Sequence, residues 1–239
     1  MSWKLIDTGK RSAAENMEID TALLTDLKDE KDSILHLYDW ETDSATYGHF
    51  IDPENFLNMS GIKKNQLDLA KRPTGGGIVF HNCDLAFSVL VPSSSPWFSS
   101  NPLDNYAFVN NRVIWAIEKV LHLPAQLLPE EPAPLDPSCR SFCMAKPTKY
   151  DVMIHGKKIG GAAQRKTRHG FLHQGSISIG FLPETYLIEV LAGGSQVLEG
   201  MRQNSFTLLG NEWSKQQLEE ARQQLRILLI QVFSDNYEE

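Results

Sequence analysis

The chain has 239 residues, with 23 Lys and Arg against 30 Asp and Glu, a formal net charge of −7. With 41% hydrophobic and 22% charged residues it has the make-up of a globular protein, which excludes a disordered one. The acidic balance argues against bulk nucleic-acid binding, and the longest apolar run, residues 227–233, falls far short of the ~20 residues of a membrane span.

Length predicts one large domain over residues 1–239. The N-terminus has no basic flank followed by an apolar core, so no signal peptide is expected. Cys83, Cys139 and Cys143 form neither a CxxC pair nor an even framework. That pattern fits free thiols in a reducing, cytoplasmic compartment.

In chain order, Ser12-Ala13-Ala14-Glu15 is a capping box and predicts a helix over 13–27. Residues 34–40 read as a strand, and Asp52-Pro53 opens a short helix. Alternating Leu85, Phe87, Val89 and Val91 make a strand stopped by Pro92. Asn101-Pro102 starts a long helix with Tyr106, Asn110, Val113, Ile117 and Leu121 on one stripe. Residues 124–137 hold five of the 12 prolines and predict an irregular connector, a crossing loop or a lid. Strands follow over 150–155, 158–164 and 171–179, the first two joined by a turn at Gly156-Lys157. A helix over 183–191 should end at Gly193-Gly194. Ser214 and Gln217 cap a last helix, 213–233, packed on the domain. Runs of strands joined by hairpins, with helices between them, predict an α+β fold: a central mixed, mostly antiparallel sheet flanked by helices.

Two segments carry chemistry. In Arg72-Pro73-Thr74-Gly75-Gly76-Gly77-Ile78-Val79-Phe80-His81, three glycines allow positive φ or close backbone approach. Successive N–H groups there would suit an anion, with Arg72 adding a fork of donors. A bare triple glycine is also compatible with a flexible loop. It is neither a Walker A loop nor a dinucleotide fingerprint. In the second segment, residues 150–164, a period of two separates Lys157 from Lys158. It puts Lys158 on a face with Gly160 and Ala162, a floor on which a substrate would lie. A Lys-Lys pair at a hairpin turn is otherwise an ordinary solvated turn.

The two segments in this order, followed by Gly170-Phe171-Leu172-His173-Gln174-Gly175-Ser176, resemble a known family. The chain is similar, up to about residue 192, to the catalytic domain of lipoate–protein ligases and cysteine-dependent octanoyltransferases. The resemblance implies an α+β domain shared with biotin–protein ligases. It implies that Lys158 grips the acyl carbonyl or the adenylate. It implies substrate binding by Arg72, Thr74, Gly75, Gly76, Gly77, His81, Gly160, Ala162, Gln164 and His173, with no metal ligands in the protein.

The resemblance also implies the reaction, attachment of an octanoyl or lipoyl group by an amide bond to an acceptor lysine. Acceptors would be lipoyl domains of 2-oxoacid dehydrogenase complexes or a glycine-cleavage H-type protein, with an acyl carrier protein as a further partner and neither nucleic acid nor membrane. A transferase takes a ready thioester through a cysteine and needs no cofactor; a ligase needs ATP and Mg²⁺. Cys143 matches the transferase nucleophile in its spacing to Tyr150-Asp151. Tyr150-Asp151, where ligases have Asn-Asp, and His81-Asn82-Cys83-Asp84-Leu85 also match that branch. Gly77 matches the ligases instead. The reading therefore leans to transfer from an octanoyl thioester through Cys143, with an ATP-dependent ligase as the alternative. A non-catalytic acyl-binding module is more remote, since Lys158 is present. The arginine-rich loop of biotin ligases is missing.

Overall fold

A computed structural model describes residues 2–130, 142 and 144–234. Its larger sheet runs, in spatial order, β1 (Trp3–Arg11), β2 (Ser33–Trp40), β6 (Asp84–Pro92), β10 (Gly170–Ser178), β9 (Lys157–Thr167), β8 (Val152–Ile154) and β7 (Gln126–Leu127). Among the described residues of this sheet only the β1–β2 pair is parallel; the other pairs are antiparallel. This is the mixed, mostly antiparallel sheet that the sequence predicts.

Strand β6 is buried along its whole length, and its alternation sorts the layers. Leu85, Phe87, Val89 and Val91 join Phe171 and Ile177 of β10 in a core with α3 (Pro102–Leu121) and α6 (Lys215–Val232). On the opposite face Ala86 and Leu90 meet α1 (Ala13–Asp26) through Ala13, Met17, Leu24 and Leu27. Each helix start follows from its cap. Ser12 Oγ accepts from the Glu15 N–H while Glu15 accepts from the Ser12 N–H, and Ser214 and Gln217 repeat the arrangement. Asn101 caps α3 with Pro102 in the first turn, where a missing N–H costs nothing.

A smaller sheet, β4 (Asp68–Lys71), β3 (Ser44–Tyr47) and β5 (Ile78–Phe80), lies in that order. It shares a second core with α2 (Met59–Lys64), α4 (Glu184–Val190) and α5 (Gly194–Asn204), which includes Leu57, Ile78, Leu187 and Val197. Its strands have three or four residues each, too short for a period of two to register.

Three local expectations are corrected. Gly193-Gly194 does not merely end a helix: Gly193 is the non-helical residue from which α5 starts. Within 124–137, Gln126–Leu127 pairs with β8 as a strand, and residues 131–137 lie outside the described ones. The β8–β9 turn is His155-Gly156, both at positive φ (49° and 75°), the twist that suits a two-residue hairpin. Among the described residues no helix is long and apolar enough to cross a membrane.

Candidate active site

Between the α1 face of the large sheet and the small sheet lies a cavity of about 240 Å³. Met17, Tyr38, Ile51, Val79, Ala86, Phe142 and Met144 give it apolar walls, and Lys158, Arg72, Thr46, His81, Gln174 and Ser176 supply its polar groups. An apolar hollow with a few convergent polar groups is what a small ligand needs.

The glycine segment forms one wall through Gly76 and Gly77. Arg72 is buried, and its fork is spent on the loop itself. Nη1 donates to the Thr46 carbonyl and hydroxyl, both at 2.9 Å, and Nη2 donates to the carbonyls of Gly75 (3.0 Å) and Gly77 (2.8 Å). Arg72 therefore shapes the loop as well as lining the cavity. Of the three glycines only Gly76 has positive φ, +86°. A Cβ on Gly75 would meet nothing within 4 Å. The tight contact is elsewhere: a Cβ on Gly48 would lie 2.0 Å from the Gly76 carbonyl oxygen. Thr74 and Gly75, expected to bind substrate, do not line the cavity; Thr74 is buried, its hydroxyl donating to Gln174 Oε1 at 2.7 Å. Gln174 Nε2 in turn donates to Asp20 at 2.6 Å, and Asp20 also holds Ser88 and His36.

Lys158 is buried, 2.7 Å from Asp151 Oδ2, and both side chains are 3% exposed. The Asp151 carboxylate also accepts from the Thr148 N–H (2.6 Å) and hydroxyl (3.0 Å). The expected face is wrong by one residue. Pairing shifts between Val152 and Met153, which oppose Gly160 and Lys158, so Ile159 is the extra residue of a bulge. A bulge reverses the alternation. Lys158 therefore lies over Gly161, where a Cβ would come 2.5 Å from Nζ. Gly160 faces Val152 instead, and Ala162 lines the cavity without sharing the lysine's face.

The same parity separates the residues of β10. Gln174 and Ser176 border the cavity. His173 is fully buried on the other side, stacked with Phe87, edge-on to Tyr106 and accepting from Gln164 Nε2 at 2.8 Å. Burial pushes the His173 imidazole down to about 3, so it is neutral. Gln164 and His173 thus belong to the α3 side rather than to the cavity.

His81 borders the cavity with Trp40 stacked on it at 4.3 Å. Its Nδ1 is 2.8 Å from Asp84 Oδ2 and its Nε2 is 2.7 Å from Thr46 Oγ1. Ser176 donates to the same Asp84 oxygen at 2.6 Å. Sequence reasoning missed Thr46, Gly48, Asp84 and Asp151 as site residues, and placed Ser176 only within the site strand 170–176. The His81–Asp84 spacing of three was visible, but nothing in the sequence joined Thr46 or Gly48 to the glycine loop. Cys143 and Cys139 lie outside the described residues. Cys83 is buried, and burial together with the Asp84 and Asp43 charges pushes its thiol up to about 12, which makes it inert. Among the described residues no three His, Cys, Asp or Glu side chains gather as a metal site.

The model of the lipoyl protein ligase A/B catalytic domain family matches residues 12–186. Among the relatives it matches, the octanoyltransferase LipM of Anoxybacillus flavithermus is 30% identical over 208 residues, 84% of this chain and 74% of the relative. LipM of Staphylococcus aureus is 28% identical over 180 residues, 74% of this chain and 65% of the relative, so the chain spans just under two thirds of that protein. In fold, the chain is similar to a bipartite lipoate protein ligase of Thermoplasma acidophilum, solved in a study with its E2 lipoyl domain. The TM-score is 0.67 at 21% identity, covering 98% of this chain and 92% of that one. It is also similar to a lipoate-protein ligase A bound with ATP, with TM-score 0.65 at 22% identity, covering 98% and 94%.

Proposed function

The chain belongs to the lipoyl protein ligase A/B catalytic domain family, and we propose that it is an acyltransferase of protein lipoylation. It takes an octanoyl group from a thioester and passes it to the lysine amine of a lipoyl domain. The observation that carries this reading is Lys158, an ammonium held at an apolar cavity of acyl-chain character. Each buried methylene of the chain contributes about 0.8 kcal/mol to binding. An ammonium has three N–H donors and Asp151 takes one, so Lys158 has donors for the acyl oxygen as negative charge develops on it.

Cys143 carries the acyl group in this proposal. A thiol attacks the donor thioester, and the resulting acyl-cysteine is then attacked by the acceptor lysine. The similarity to octanoyltransferases named LipM supports this donor chemistry. The acceptor is a lipoyl domain of a 2-oxoacid dehydrogenase complex or a glycine-cleavage H-type protein, and the donor an octanoylated acyl carrier protein. Gly77 is the observation that favours the second reading, a ligase acting through an acyl-adenylate with ATP and Mg²⁺.

Paired assays on a purified lipoyl domain test the proposal. Cys143→Ser should abolish transfer from an octanoyl-carrier thioester. If the chain is a ligase, the same variant will match wild type with free lipoate, ATP and Mg²⁺.

A further inference from the structure

We infer that His81, held by Asp84, is the base that takes the proton from the attacking amine, through the hydroxyl of Thr46. The inference rests on the acyl-transfer reading above and adds a group for its second half. A lysine amine attacks only as the free base, and at neutral pH roughly one in a thousand is unprotonated. A site that acylates lysine therefore gains from a proton acceptor beside the carbonyl clamp.

The hydrogen bonds around His81 fix its tautomer. Asp84 Oδ2, at 2.8 Å, accepts the Nδ1 proton, which leaves Nε2 as the acceptor nitrogen. Thr46 Oγ1 lies 2.7 Å from Nε2 and donates its proton there. The same oxygen accepts from Arg72 Nη1 at 2.9 Å. A hydroxyl oxygen has two lone pairs, so Thr46 retains one for an incoming ammonium, and it borders the cavity. A base, an orienting carboxylate and a relay hydroxyl in hydrogen-bond reach are the geometry of an activated nucleophile.

The base and the clamp line the same cavity. Lys158 Nζ lies over Gly161, and Gly161 is paired with Ser176 on the adjacent strand. Ser176 Oγ donates to the Asp84 oxygen that holds His81. The charged groups around the imidazole are Asp84 beside it, Arg72 behind Thr46, Arg222 on the Asp84 carbonyl and, lining the same cavity, Lys146 and the Asp151-paired Lys158. Asp84 offsets the positive charge that His81 acquires, and the Trp40 ring covers one imidazole face.

An N–H bond of the lysine ammonium breaks toward Thr46 Oγ1 while the Thr46 O–H proton passes to His81 Nε2. The freed lone pair forms a C–N bond to the acyl carbon, and the carbonyl oxygen becomes negative against Lys158. When the carbonyl re-forms, the C–S bond breaks, and the sulfur leaves with the second amine proton. His81 then releases its proton to water.

The test compares acceptors of different basicity with an octanoyl thioester donor: a lipoyl domain, the same domain with its lysine replaced by the less basic S-aminoethyl-cysteine, and hydroxylamine, which is already a free base at neutral pH. His81→Gln should slow transfer to lysine at pH 7 by on the order of 10²–10⁴. The loss should shrink as pH rises toward the amine's own pKa, be smaller for S-aminoethyl-cysteine and vanish for hydroxylamine. Asp84→Asn should follow the same order. Thr46→Val should reproduce the defect while Thr46→Ser keeps activity, and this pair decides the matter if His81→Gln fails to fold. Equal losses for all three acceptors at every pH, or no loss for lysine, would overturn the inference and leave His81 a fastener of the glycine loop. A wild-type protein that passes the octanoyl group from the thioester to none of the three acceptors would instead overturn the acyl-transfer reading itself.

Discussion

Lys158 and Asp151 form a buried ion pair at 2.7 Å, with 3% of each side chain exposed, so the residue proposed to clamp the acyl oxygen is also a structural counter-charge. The two roles can be separated. Lys158→Ala should cut transfer by about 10²–10³ and also destabilise the fold by about 3–5 kcal/mol, because Asp151 is left buried and unpaired. Adding Asp151→Asn should recover much of the stability in urea unfolding and none of the activity. A double variant with wild-type rates would remove Lys158 from the site.

The glycine loop gives a contrast among three glycines. Gly48→Ala drives a methyl against the Gly76 carbonyl, and Gly76→Ala opposes a φ of +86°. Each should weaken binding of a non-hydrolysable octanoyl thioester analogue and lower Tm. Gly75→Ala meets open space and should be silent in both. Calorimetric titration of the three variants checks the order; loss of binding in Gly75→Ala alone would contradict it.

Tyr150 adopts φ +68°, a left-handed conformation costing a residue with a Cβ roughly 1–2 kcal/mol. Its N–H is bound by the Leu128 carbonyl and its own carbonyl accepts from Asn110, so the strain is held in place next to Asp151. Asn tolerates this region better. Tyr150→Asn should raise Tm by several degrees while the Lys158–Asp151 pair persists; a lowered Tm would show that the tyrosine ring contributes more than the strain removes.

The layers were legible because caps and apolar parity are local. Ser12, Asn101 and Ser214 mark the starts of α1, α3 and α6, and the Leu85–Val91 alternation marks the core strand. The site was less so. One bulge residue, Ile159, reverses the face of Lys158, and no count of two along the chain reveals an inserted residue. Gly48 and Thr46 act on the glycine loop from β3 and the turn after it, a contact between segments whose strands are too short to announce themselves. His173 sits in a motif of the site strand, yet parity sends it to the α3 core.

That placement has a consequence in acid. The folded-state pKa of His173 is about 3 against an ordinary 6.5, because burial opposes the charged form. The neutral side chain's contribution is therefore complete above pH 6.5 and is lost as pH falls from there toward 3, at about 1.4 kcal/mol per unit. His173→Phe should gain on wild type by about 2 kcal/mol between pH 7 and pH 5, measured by urea unfolding at both. A stability difference that does not change with pH would contradict a buried, neutral His173.

The central claim is that an acyl group passes through Cys143 on its way to lysine, and intact-mass measurement tests it most directly. Wild-type protein incubated with octanoyl-carrier thioester, without ATP, should gain one octanoyl group that hydroxylamine removes. Cys143→Ser should gain none. Cys83, whose thiol is pushed up to about 12, should stay unmodified in both, as peptide mapping would show. No adduct on wild type, together with transfer that appears only when ATP and Mg²⁺ are added and survives Cys143→Ser, would contradict the account.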